Sequence, residues 1–245
     1  MTKPDGHARW VRISHAILGA SVLTLVFSGF MILLVHPRLY WGKAGNDLMP
    51  ALVEFPFGAR YPGATWDPPA PFFQTAGGPF TASRTVEPFN QNGWARSLHF
   101  SAAWWLVVPG VIYLAVGIRR GHLRRNIVPA TTHLTPGAVL QDLTDHLRFR
   151  IRPAAGGPQY GVLQRIAYST VIFVASPLLV LTGITMSPAV TAAFPSLLDL
   201  FGGYQSARTL HFAAFAALIL FVVVHVVMVI ASGFWKQMRA MTLGG

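Results

Sequence analysis

Four stretches of about twenty apolar residues constrain this chain more than any other feature: Ile13 to Val35, Leu98 to Ile118, Leu163 to Met186 and Leu210 to Ser232. In helical form, a run of that length crosses the hydrocarbon core of a bilayer. The composition agrees, with 53% hydrophobic residues, 11% charged residues and a mean hydropathy of +0.47, too apolar for a soluble domain of this size. Backbone polar groups inside lipid must be paired within the segment, so these runs are predicted to be helices. The expected fold is an all-α integral membrane protein, a four-helix transmembrane bundle forming one domain over residues 1–245. An even number of spans leaves both termini on one side. The first run is longer than the apolar core of a signal peptide and has no clear small-residue cleavage site after it, so it reads as a retained helix.

Basic residues set the orientation. The termini and the segment between the second and third runs, with Arg165 at the start of the third, hold thirteen Lys and Arg against three acidic residues, whereas the opposite side holds six against five. The positive-inside bias then places both termini in the cytoplasm, across a bacterial-type inner membrane. Residues 119–162 become a basic cytoplasmic loop suited to lipid headgroups, with Thr135 to Leu147 able to form a short interfacial helix. The net charge of +11 follows from topology, and no nucleic-acid partner is expected. Residues 36–95 form a long extracytoplasmic loop rich in Pro, Gly and aromatics, as in Trp66-Asp67-Pro68-Pro69-Ala70-Pro71-Phe72-Phe73. It reads either as a docking surface for a partner or as a structural cover.

Histidine within a membrane helix is costly unless it has a partner. His211 and His225 share the fourth run; His15 lies in the first and His99 in the second. Fourteen residues are close to four helical turns, so His211 and His225 fall on nearly one face about 21 Å apart. By topology His15 and His225 share the inner level, and His99 and His211 the outer. Neutral imidazole is a strong axial ligand for haem iron, and four imidazoles matched in depth suggest two bis-histidine b-type haems. Any one of the four could instead bond between helices; that role explains the matched set less well. His7, His36, His122, His133 and His146 lie outside the runs and read as surface residues. The chain has no cysteine, which removes iron–sulfur clusters and covalent haem attachment, so any haem is non-covalent.

An internal echo singles out the outer pair. Residues 95–100 read Ala-Arg-Ser-Leu-His-Phe and residues 207–212 read Ala-Arg-Thr-Leu-His-Phe. Arg96 and Arg208 each stand three residues before a histidine, on the same helical face, and Arg12 stands likewise before His15. These arginines either pair with haem propionates or snorkel at the membrane boundary. Gly19, Gly29, Gly110 and Gly183 would give a haem plane room or merely let helices pack. Pro109 and Pro177 are expected to kink their spans. There is no phosphate loop, zincin motif, nucleophile elbow or carboxylate pair inside a span, so no catalytic residues are expected.

In these features the chain resembles the four-helix di-haem cytochrome b subunits of formate dehydrogenase, nickel–iron hydrogenase and thiosulfate reductase, which are bacterial cytochrome b561-like. The match covers all four helices and rests on one histidine in the first, one in the second, and two in the fourth at fourteen residues' spacing. The resemblance implies two haem b groups, ligated by His15 with His225 and by His99 with His211. It also implies a quinone site near the start of the third helix, where the family carries Tyr-Asn-x-x-Gln and this chain reads Tyr160-Gly161-Val162-Leu163-Gln164. Gln164 would either donate to a quinone carbonyl or cap the helix. The approach Gly202-Gly203-Tyr204-Gln205-Ser206-Ala207-Arg208 is similar to b-type cytochromes that accompany periplasmic molybdopterin oxidoreductases. The implied role is an electron-transfer subunit between the quinone pool and an extracytoplasmic oxidoreductase, rather than a complete enzyme. The alternatives are a stand-alone b561-like electron carrier and a haem-free anchor or proton relay.

Overall fold

The protein is described from a computed structural model, which covers residues 7–35, 37–46, 49–55, 92–130, 132, 134–148 and 160–243. Most of the long loop, with His36, and also His133 and residues 149–159 lie outside the described residues. In chain order the elements are α1 (Arg9–Val35), β1 (Arg38–Leu39), β2 (Val53–Glu54), α2 (Asn92–Arg119), α3 (Pro136–Leu147), α4 (Val162–Thr170), α5 (Ser176–Thr185), α6 (Pro188–Ala193), α7 (Ser196–Leu200), α8 (Tyr204–Ala231) and α9 (Phe234–Thr242).

Four helices are long and apolar enough to span a bilayer: Arg9–Leu34, Gly93–Arg119, Val162–Thr185 and Tyr204–Ala231. The fold is an all-α membrane bundle, as expected. α1, α2 and α8 begin four to six residues before the apolar runs do, because a helix continues through the polar interface where hydropathy no longer marks it. The third span is built from α4, a π-helical turn at Val171–Ala175, and α5. The amide of Ser176 bonds five residues back to Val171, so the ladder is widened immediately before Pro177, which has no N–H to give it. Pro109 is accommodated inside the continuous α2.

Burial runs opposite to that of a soluble protein. Leu23, Trp104, Trp105, Ile118 and Leu220 are each at least 64% exposed, and on spanning helices such side chains meet lipid. Many of the buried positions are instead small or hydroxylic, among them Ser21, Ser28, Ala95, Ala102, Ala175, Thr182, Thr185, Ser206 and Ala207, beside larger ones such as Met31 and Leu34. Lipid tails are as apolar as leucine, so membrane helices gain by close backbone approach and hydrogen bonding, which small residues permit.

The chain divides into two compact units, one of Met1–Ala20, Trp105–Pro177 and Ala216–Gly245, the other of Ser21–Trp104 and Leu178–Phe215. In the first, α3 forms where the sequence placed a short helix. Thr135 caps it, its side chain accepting from the amide of Ala138 at 3.3 Å, and Pro136 supplies the pre-set first turn. α3 also caps its neighbour: the Asp142 carboxylate accepts the amide of Leu163 at 2.7 Å, at the start of α4. The buried Arg165 donates to the carbonyls of Arg124, Arg125 and Val128, satisfying the end of the π-helical turn Leu123–Ile127.

In the second unit, β1 and β2 pair antiparallel, Arg38 opposite Glu54 and Leu39 opposite Val53. Their loop holds the N-terminus of α8. The Gly42 carbonyl accepts the amides of Gln205 and Ser206 at 3.0 and 3.2 Å, the Ser206 hydroxyl accepts the Gly42 amide at 2.7 Å, and Thr209 donates to the Tyr40 carbonyl at 2.6 Å. Gly203 sits at φ +125°, and a Cβ there would stand 2.5 Å from the Gly42 oxygen; only glycine lets the strands' loop approach so closely.

Candidate functional site

In the second unit the imidazoles of His99 (α2) and His211 (α8) face each other, with ring centres 6.2 Å apart and planes at 61°. In the first, His15 (α1) and His225 (α8) face each other at 6.3 Å and 51°. The sequence-predicted pairs are therefore the pairs the fold brings together. The separation is informative. Two imidazoles that shared one metal through bonds of about 2 Å would have their ring centres roughly 6 Å apart, as each of these pairs does.

The surroundings of the pairs differ. Ser28 on α1 and Thr182 on α5, both fully buried, lie 3.0 Å from Nδ1 of His99 and His211 respectively. Gly29 and Gly183, the next residue in each case, lie beside the same rings; a Cβ there would stand 3.5 and 3.4 Å from the histidine Cε1. Those two glycines sit where the sequence placed them, whereas a Cβ at Gly19 would meet nothing within 4 Å and one at Gly110 only Leu18. The hydroxyls were not legible in the sequence, since a Ser-Gly or Thr-Gly pair is common; their shared position, one residue before a glycine already singled out, was the signal available.

The first unit's pair lies in an aromatic cluster. Phe221 stacks on His225 at 5.8 Å, Tyr168 meets His225 edge-on at 6.4 Å, Tyr160 meets Tyr168 at 5.3 Å, and His7 stacks on Tyr160 at 6.4 Å. Burial, and then the neighbouring Tyr168 and Tyr113, raises the Tyr160 pKa, so it remains a protonated donor at neutral pH. Burial, followed by the nearby His15, lowers that of His7. His122 packs on Trp10 at 5.1 Å and takes a bond from Asn126 at 2.9 Å. His7, His122 and His146 are thus half-buried and engaged rather than ordinary surface residues.

The predicted arginines separate. Arg208 is half-buried and Arg96 exposed despite their near-identical settings in the sequence. Arg12 donates from Nη1 to the Thr242 carbonyl at the end of α9, 3.0 Å away. Gln164 takes the cap role: its Oε1 accepts the amide of Gly161 at 3.1 Å. The glycine that replaces the motif's asparagine also has a physical reason, because a Cβ at position 161 would lie 2.9 Å from the Asp142 carboxylate. Gly161→Ala is accordingly expected to displace that carboxylate from the Leu163 amide. It should cost about the same as Asp142→Ala, roughly 0.5–2 kcal/mol for a lost N-cap. Thermal unfolding in detergent checks this, and a Gly161→Ala variant as stable as the parent would contradict it.

The family model described as prokaryotic cytochrome b561 matches residues 6–244. The chain belongs to the prokaryotic cytochrome b561 family. A relative from Azospira oryzae (strain ATCC BAA-33 / DSM 13638 / PS), provisionally named protein-methionine-sulfoxide reductase subunit YedZ1, is 31% identical over 225 residues, covering 91% of this chain and 89% of its own. No solved structure matches the chain. This is a membrane cytochrome of the b561 type, and its function is electron transfer. The family implies haem b, and the residues present fit it. The residues that would hold it are paired imidazoles, whose nitrogens would ligate the iron. Among the described residues no group of three or more His, Cys, Asp or Glu stands together to hold a metal ion.

Proposed function

We propose that this cytochrome holds two haem b groups, one between His15 and His225 and one between His99 and His211, and carries electrons from membrane quinol to an extracytoplasmic oxidoreductase. The observation that carries this reading is the duplicated imidazole pair inside the spanning helices, with ring centres at 6.3 and 6.2 Å. Haem bound at each pair would supply reversible one-electron chemistry. The protein's own residues supply axial nitrogens, helix packing that excludes water, and positive charge. Arg208 is best placed to balance a propionate, with Arg12 in the other unit and Arg96 as an exposed third.

The quinone site is proposed beside the first unit's pair, at Tyr160, Tyr168 and Gln164. Tyr160 offers a phenol proton. Gln164 keeps its amide nitrogen, which makes no hydrogen bond among the described residues, for a quinone carbonyl. Both termini are proposed to be cytoplasmic, from the distribution of arginine and lysine, and residues 36–95 are proposed as the docking surface of the partner. The relative's name points to a partner that reduces methionine sulfoxide, which we take to be molybdopterin-dependent. Converting a sulfoxide to a thioether consumes two electrons and two protons and releases water, so electrons would run outward from quinol.

The test is the dithionite-reduced minus oxidised spectrum of the detergent-purified protein, with haem counted by the pyridine haemochrome assay. A b-type α-band with about two haems per chain is expected, together with reduction by a quinol analogue and co-purification of a soluble reductase. A folded sample without haem, made with adequate haem supply, would bring the anchor or proton-relay reading forward. Full haem with no soluble subunit would favour a stand-alone carrier.

A further inference from the structure

We infer that Ser28 and Thr182 are positioning residues that lock His99 and His211 as Nδ1–H tautomers and thereby set the reduction potential of the iron held between them. The inference rests on the haem reading above and concerns residues outside the ligand set. A serine or threonine hydroxyl has one proton to give. Ser28 gives its proton to the Thr24 carbonyl at 2.8 Å, and Thr182 gives its own to the Leu178 carbonyl at 2.6 Å. Each oxygen is left as an acceptor, and the atom 3.0 Å away is histidine Nδ1. With the hydroxyl protons used in this way Nδ1 is the donor, the Leu179 carbonyl being a second acceptor for His211, and the lone pair is left on Nε2. Both hydroxyls are 0% exposed, so no water competes for them, and a buried polar group in this setting is held to its partner.

The arrangement is duplicated. In both cases the hydroxyl bonds one helical turn back along its own helix, a glycine follows it, and the ring lies against that glycine with Cε1 nearest. One hydroxyl–glycine pair comes from α1 and the other from α5, matching the repeated Arg-x-Leu-His-Phe sequences of α2 and α8. By contrast, neither His15 nor His225 makes a hydrogen bond among the described residues. An imidazole that donates from Nδ1 is a more basic ligand. It favours the ferric state, so the second unit's iron is held at a lower potential than the same ligands would give without the two hydroxyls.

The experiment is a spectroelectrochemical titration of the full chain in detergent, comparing the parent with Ser28→Ala, Thr182→Val and the double variant, with haem content measured alongside. Each single change is expected to raise the potential of one of the two components by a three- to tenfold shift in its reduced-to-oxidised ratio, tenfold being 59 mV for one electron. The other component should stay put. Ser28→Thr and Thr182→Ser keep the oxygen and should restore the parent potential. If Ala and Val variants lose the haem while the Ser/Thr exchanges keep it, the positioning role is again supported. Two haems with both potentials unmoved in the double variant would overturn the inference and leave the haem reading intact. Undiminished haem in His99→Ala and His211→Ala would instead overturn the reading beneath it.

Discussion

Replacing His211 with alanine is expected to remove one haem of two and leave the other in place. His211 faces His99 across 6.2 Å, with Thr182 fixed on its Nδ1, and no other histidine among the described residues reaches that site. With one imidazole gone, the iron has an open position, and loss of a ligand from a non-covalent site costs far more affinity than the 10–100-fold typical of a residue behind the ligands. His15 and His225 belong to the other compact unit, so the second haem should remain. Pyridine haemochrome counts should fall from about two to about one per chain in His211→Ala, likewise in His225→Ala, and to near zero in the double variant. The α-band that survives should differ between the two single variants. Identical residual spectra, or complete loss in either single variant with normal folding, would mean one shared site and would defeat the assignment.

How far the sequence could be read depended on the range of the interaction. The spans were legible because hydrophobic length is a property of contiguous residues, and the histidine pairs because helix order and depth follow from topology. Contacts closed by residues distant in sequence were hidden. Ser28 with His99, Thr182 with His211 and Asp142 with Leu163 are separated by 71, 29 and 21 residues, and nothing local to any of these residues announces its partner. The echo around Arg96 and Arg208 shows the opposite failure. Near-identical neighbours along the chain, differing only at Ser97 and Thr209, predicted like environments, but Thr209 and the residues before it are fastened to the Gly42 loop, and Arg208 is half-buried. Arg96, near the start of α2, remains exposed. Gln164 illustrates a third case: its two roles differ in which amide atom is used, and the capping bond takes the oxygen while leaving the nitrogen.

The second large effect is expected at a pair the sequence did not mark. Arg38 Nε lies 2.9 Å from Glu54 Oε2, with side chains only 3% and 2% exposed. Removing one partner takes the ion pair from a charge that stays buried, which costs about 3–5 kcal/mol, whereas replacing both with apolar residues of similar volume is often neutral. Glu54→Ala and Arg38→Ala should therefore each lower the unfolding temperature in detergent strongly, and Arg38→Met with Glu54→Leu should recover most of the loss. The damage should also reach the candidate site. The pair holds β1 to β2, whose loop carries Tyr40, the acceptor for Thr209, and Gly42, the cap of α8. Phe55, directly after β2, packs on Phe212 at 5.1 Å. Thr209 and Phe212 flank His211, so a loosened ladder releases the turn of α8 that aims this imidazole. The single variants should lose haem from the His99–His211 pair at temperatures where the His15–His225 pair still holds its own, and the apolar double variant should retain both. Equal thermal loss from the two pairs would show that the ladder supports the fold in general and has no particular part in orienting His211.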